Sequence, residues 1–331
     1  MRKILVALTI FSLTLVGVSM PSASPIFAAD LTFTNKTNGL GSNYVNGVYV
    51  VGGTIYAATE VGLSISTDGG TTFTNYTTSN GLGDNDVNEV FVVGGTIYAA
   101  TEVGLSISTD GGTTFTNYTT SNGLGDNYVD GVYVVGGTIY AASTGLGIST
   151  NGGTNFTTKT KAANNLGDDT LSGVYVVGGT IYVATDGGGL SVSSDGGTTF
   201  TNYSTSNGLG DEETFQVYVA GGTIYVATDG GLSISTDGGT TFTNYTTSNG
   251  LGNNVVLGVY VFGRTIYAAT SGGLSIAQIP AQAGVPLWHQ SIGREAATQT
   301  CPQDYTPSWA NWPNSGTGGF VCNKAIPAYG N

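Results

Sequence analysis

The chain has 331 residues, a formal net charge of −13 and only 9% charged residues. So acidic a surface excludes the electrostatic route to nucleic acid and to anionic membrane surfaces. Its polarity comes mainly from Thr, Ser, Asn and 54 glycines, which suits an exported β protein.

Residues 1–29 open with Met1-Arg2-Lys3, continue through the mostly apolar Ile4 to Val18, and end in small residues near Ala28-Ala29. This is the layout of a secretory signal peptide, so the protein is expected to be secreted, with association to the cell surface left open. No later apolar run approaches the length of a membrane helix, so no membrane span is expected. The only cysteines are Cys301 and Cys322, and neither can serve as a lipidation site behind the leader.

Residues 30–280 form the second segment and are built on a repeat. The tripeptide Thr-Ile-Tyr returns at Thr54, Thr96, Thr138, Thr180, Thr223 and Thr265, at spacings of 42, 42, 42, 43 and 42 residues. A fixed period in this range is the mark of a repeat architecture. Within one unit, Asn88 to Val93 and Thr96 to Thr101 are β-rich runs separated by Gly94-Gly95, a two-residue hairpin turn. Leu105 to Thr109 alternates apolar with small polar residues, and Thr114 to Thr120 follows after Asp110-Gly111-Gly112. No stretch shows helical spacing. Four short strands in about 42 residues fit one blade of a β-propeller.

The ends give the blade count. Five units carry the turn at Asp68, Asp110, Asn151, Asp195 and Asp237, whereas the sixth stops at Leu274-Ser275-Ile276 and lacks a fourth strand. Leu31 to Gly41 repeats the missing sequence. The expectation is an all-β, six-bladed propeller of four-stranded antiparallel blades, closed by the N-terminal strand so that no edge is left open. This segment holds nineteen acids against Lys36, Lys159, Lys161 and Arg264, a net −15.

Residues 281–331 differ in composition. All three tryptophans, the single His289 and both cysteines lie there. In an exported protein this predicts a small C-terminal module linked by a Cys301–Cys322 disulfide that compensates for a small core. Tyr305, Trp309 and Trp312 are candidates for stacking on sugar rings, and the competing reading makes them the module's core.

Ser-Thr-Asp-Gly-Gly-Thr-Thr-Phe, Ser66 to Phe73, with copies from Ser108, Ser149, Ser193 and Ser235, resembles the Asp-box (BNR) repeat. The resemblance implies that these aspartates cap the hairpin between the third and fourth strands of each blade and are structural. Asn151 replaces Asp in the third copy, which such a turn tolerates. The stretch around Asn80-Gly81-Leu82 and the following Ile97 to Ser108 is similar to the repeats of two-component-regulator-type sensor propellers. The tail is similar to a C-terminal module of actinobacterial secreted surface proteins.

Asp-box propellers include sialidases, which grip a carboxylate with three arginines. Beyond the leader this chain offers only Arg264 and Arg294, so that activity is not expected. Other glycosidases need only two carboxylates. The loops leading into each inner strand carry Asp84, Asp126, Asp168 and Asp211 at equivalent positions. The loops joining second and third strands carry Glu60, Glu102, Asp186 and Asp229. Both loop sets belong to one face. These eight are the candidate ligand-binding residues; converging there they would suit calcium, while the plainer reading is a turn-capping Asp copied with the repeat. The function expected is a monomeric, non-enzymatic, secreted propeller that binds an extracellular glycan or protein. A carbohydrate-active hydrolase and an extracellular sensor domain are the alternatives.

Overall fold

Glycine pairs set the first turn of blades one to five, and Gly263-Arg264 that of blade six. In the second blade Gly94 and Gly95 take φ of 59° and 82°, the left-handed values that a tight hairpin demands and that glycine adopts without strain. Val87–Val93 therefore folds back on Thr96–Thr101, with Val93 opposite Thr96. Gly104–Ser108 and Thr116–Tyr118 complete an antiparallel sheet of four strands in sequence order. In this computed structural model residues 37–279 are described in full, with the backbone of 7–8, 305–311 and 318–324. The chain divides into two compact units, Met1–Gly284 and Val285–Asn331.

The first unit is a six-bladed, all-β propeller. Blades one to five have four antiparallel strands each, and Ala7–Leu8 adds a short parallel pairing to the inner strand of blade one. Among the described residues blade six has three, Val256–Phe262, Thr265–Thr270 and Gly273–Gln278. The expected fourth strand, from Leu31, lies outside the described residues. In the second unit Tyr305–Asn311 pairs antiparallel with Gly318–Lys324. The side chains of Tyr305 and Trp309, all of Trp312, and the expected Cys301–Cys322 bond lie outside what is described.

The outer strand is shorter than the seven residues the sequence suggests. Only Thr116–Tyr118 pairs, because Thr120–Asn122 turns into a single 3-10 turn. Thr119 caps that turn by accepting from the Ser121 N–H, and the Asn122 carboxamide accepts from the Thr119 N–H. This reciprocal cap outcompetes further strand pairing. Blade three ends instead in the short helix Lys161–Asn164, closed by Asn165 at φ 60°.

The core is divided between neighbouring sheets. Leu63 and Leu82 pack with Phe115 of blade two, and Leu105 and Leu124 with Phe156 of blade three. The same seams carry hydrogen bonds. The Phe115 N–H donates to the Asn80 carbonyl at 2.8 Å. The Gly83 N–H donates to Ser106 Oγ at 2.9 Å, and Ser106 in turn donates to Asn117 Oδ1 at 3.0 Å.

Candidate functional site

The inner strands line the axis, and at one end they open on a cavity of about 490 Å³. Two sets of positions build its wall. One is the beginning of each inner strand, where Tyr44, Asp86 and Tyr128 stand at equivalent places in blades one to three, with Asn46, Asn88 and Asp130 two residues on. The other is the loop between second and third strands, which contributes Glu60, Glu102 and Asp186.

Sheet geometry explains why these side chains reach the axis. Pairing of the inner and second strands slips by one residue at Asn46, Asn88, Ser172, Phe215 and Leu257. A bulge of this kind re-aims a side chain beside the ladder. Asn46 then spans the seam to blade two, donating to the Val87 carbonyl at 2.9 Å and to Asp86 Oδ1 at 3.2 Å. Asn88 repeats the bridge to Val129.

The lining residues all belong to blades one to four. Blades five and six place Phe215 and Leu257 where blades one to three carry Asn46, Asn88 and Asp130. The repeats thus differ at residues around the mouth, and also in the outer strand and following loop of blade three, Thr157 to Asn165. Tyr44 and Tyr128 are 39% and 43% exposed there. Burial pushes the Tyr128 hydroxyl up to about 12, helped by the charges of Asp130, Glu102 and Asp86.

One residue beyond the bulge, four blades have glycine, at positions 47, 131, 173 and 258. Blades two and five carry Glu89 and Gln216. Glu89 Oε2 accepts the Val132 N–H at 2.8 Å and Gln216 Oε1 accepts the Val259 N–H at 2.8 Å, each across a seam. Burial pushes the Glu89 carboxyl up to about 7, against the opposing hydrogen bond from Val132 and with a further push from Asp130. Two residues further along stand Tyr49, Phe91, Tyr133, Tyr175, Tyr218 and Tyr260, with successive ring centroids 5.0 to 5.2 Å apart. These six rings form an aromatic arc along the inner strands.

Of the eight candidate carboxylates, Glu60, Glu102, Asp126 and Asp186 line the cavity. Asp84, Asp168, Asp211 and Asp229 are not among its walls. Asp84 Oδ1 accepts the Asp86 N–H, and Asp126, Asp168 and Asp211 do the same two residues on, at 2.9 to 3.0 Å. They cap turns. Asp168 also pairs with Lys161 at 3.5 Å, an exposed contact of small energetic weight. Among the described residues no three acidic, His or Cys side chains converge closely enough to hold a metal ion, so the donor set does not fit the expected calcium site. Sequence reasoning passed over Tyr44, Tyr128, Asn46 and Asn88. Their signal was the column-by-column disagreement between repeats.

The Asp-box turns lie between the third and outer strands. Asp68 Oδ1 accepts from the Thr72 N–H at 2.9 Å and from Ser66 Oγ at 2.8 Å, while Oδ2 accepts from Thr72 Oγ1 at 2.7 Å. These bonds hold its carboxyl down to about 2. Asp110, Asp195 and Asp237 make the same set, and Asn151 reproduces the Oδ1 half with Asn155 and Ser149.

The fold and this cavity define the class, a six-bladed propeller with an acid-rich channel mouth. No protein-family model matches the chain, and no curated protein matches it. Solved structures do. The extracellular domain of a hybrid two-component system from B. thetaiotaomicron is 21% identical with a TM-score of 0.63, over 89% of this chain and 42% of that one. An ancestral GH74 enzyme is 17% identical with a TM-score of 0.57, over 88% and 39%. YCF48, solved with a D1 peptide, is 14% identical with a TM-score of 0.56, over 73% and 80%. This chain thus spans less than half the length of the first two, and at such identities the likeness is one of fold. Among the described residues no helix is long and apolar enough to cross a membrane.

Proposed function

We propose that the propeller is an extracellular, non-catalytic binding domain that takes a glycan at the channel mouth. The observation that carries this reading is the mouth itself. Two half-exposed tyrosines, Tyr44 and Tyr128, stand among carboxylate and amide acceptors in one sector of the channel mouth. Sugar hydroxyls donate to such acceptors, and tyrosine faces accept the apolar face of a pyranose ring. The wall contains no Lys, Arg or His, so anionic ligands are disfavoured. A rigid scaffold presenting variable residues at one end is the usual arrangement for recognition.

The test is a glycan array on the secreted protein, followed by titration of each hit against Tyr44→Ala/Tyr128→Ala and Asp86→Asn. The double tyrosine variant is expected to weaken binding about tenfold or more with little change in Tm. Hits that bind equally well to these variants overturn the mouth as the site.

A further inference from the structure

The carboxylates of the channel mouth have no cation to answer them. Glu60, Asp86, Glu102, Asp126, Asp130 and Asp186 line the cavity of about 490 Å³, and none of Lys159, Lys161 and Arg264, the cations among residues 37–279, joins them. Lys161 pairs with Asp168, Arg264 donates to the Ile279 carbonyl, and Lys159 packs beside the Gly197 turn of blade four. The charges converge on a common neighbour. Asp130, Glu102 and Asp86, from two blades, all act on the Tyr128 hydroxyl.

Several of these acceptors are uncommitted. Asp126 Oδ1 caps its own turn and Asp86 Oδ1 accepts from Asn46, but among the described residues the side chains of Glu60 and Glu102 accept no hydrogen bond and form no ion pair. One residue past Asn88 of the wall, Glu89 adds a further case. Its Oε2 is taken by the Val132 N–H, yet among the described residues nothing donates to Oε1 and no cation stands beside this carboxyl, which is buried against blade three. A carboxyl so placed costs free energy until something donates to it.

Spacing decides what kind of cation fits. Among the described residues no three of these carboxylates come close enough together for a metal ion. Spread around a cavity of a size usual for small-molecule sites, they match a ligand that carries an ammonium group and hydroxyls set apart on one rigid frame. Solvation points the same way. A neutral pyranose seated on Tyr44 and Tyr128 would strip water from the carboxylates and return only neutral hydrogen bonds, whereas an ammonium group offers charge-assisted ones, roughly twice as strong. Tyrosine faces attract the same charge.

We propose that the ligand of the mouth is an amino glycan, a sugar chain with unsubstituted amino groups, held through its ammonium by Glu60 and Glu102 and through its rings by Tyr44 and Tyr128. This rests on the glycan reading of the mouth and narrows it to one charge class. N-acetylation would remove the charge and two of the three N–H donors, and the preference with them.

The experiment is calorimetric titration of the secreted protein, at pH 6 and low salt, with tetramers of glucose, of N-acetylglucosamine and of glucosamine on the same β-1,4 backbone. The glucosamine tetramer should bind about tenfold or more tightly than the other two, and the margin should shrink as salt rises. Glu60→Gln/Glu102→Gln should cut that margin severalfold at unchanged Tm. Tyr44→Ala/Tyr128→Ala should weaken the glucosamine tetramer about tenfold. Equal affinity for the three tetramers, or a margin untouched by Glu60→Gln/Glu102→Gln, overturns the amino-glycan assignment and leaves the glycan site standing. A glucosamine tetramer that binds Tyr44→Ala/Tyr128→Ala as well as wild type overturns it too, since the attraction would then be to the acidic surface at large. Neutral glycans as the only array hits likewise overturn it, and no hits at all remove the glycan site with it.

Discussion

Aspartates 68, 110, 195 and 237 and Glu89 are carboxylates displaced in opposite directions by their surroundings. Asp68, Asp110 and Asp237 are held down to about 2 by hydroxyl and amide donors in their own turns. A carboxyl lowered in the folded state stabilises above its unfolded value of about 3.9 and loses that contribution as pH falls. The propeller should therefore lose Tm steeply between about pH 4 and pH 2. Asp110→Asn, which copies the natural Asn151, should flatten that fall while changing Tm little at pH 7, as read by scanning calorimetry. Glu89 has the reverse sign. Its raised carboxyl leaves the fold unaffected below about pH 4 and weakens it as pH rises through 7. Glu89→Gln, copying Gln216, should raise Tm by about 4 °C at pH 8, on the order of 1–2 kcal/mol since the channel admits water, with no gain at pH 4. The Asp-box capping role could be read from Ser66 to Phe73, because its donors and acceptors are neighbours in sequence. The displacement of Glu89 could not, because it depends on burial against the next blade.

Among the elements, the hairpins and the third strands were legible, since paired glycines and period-two alternation are local signals. The 3-10 turns were not. Thr77 to Asn80 is too short for any periodicity, and its cap uses Asn80 in place of the more familiar Glu or Gln. The inner-strand bulges left no local trace either, because a one-residue slip alters pairing without altering composition. The seam hydrogen bonds are the elements' main polar link. Ser106 is fully buried and stands between the Gly83 N–H and Asn117 Oδ1. Ser106→Ala leaves the Gly83 donor without its acceptor and should cost about 1–3 kcal/mol in chemical denaturation, with an unchanged m-value. Leu105→Ala, at a fully buried position of the same strand, should cost about 2–5 kcal/mol.

For the whole molecule, the 42-residue period was enough to give the propeller and its six blades. Of the eight candidate carboxylates Glu60, Glu102, Asp126 and Asp186 line the cavity, while Asp84, Asp168 and Asp211 cap turns through Oδ1. Residues at the mouth differ between the repeats, with Tyr44, Asp86 and Tyr128 in blades one to three against Thr170, Glu213 and Val255 in blades four to six. Recognition of an asymmetric ligand accounts for variation at that end of the channel. The direct measurement is calorimetric titration of the strongest array-selected glycan into wild type and Tyr44→Ala/Tyr128→Ala at equal ionic strength. The account predicts saturable one-site binding without turnover, weakened about tenfold or more in the variant. Equal affinity in the two proteins would contradict it, and so would the absence of binding to any glycan.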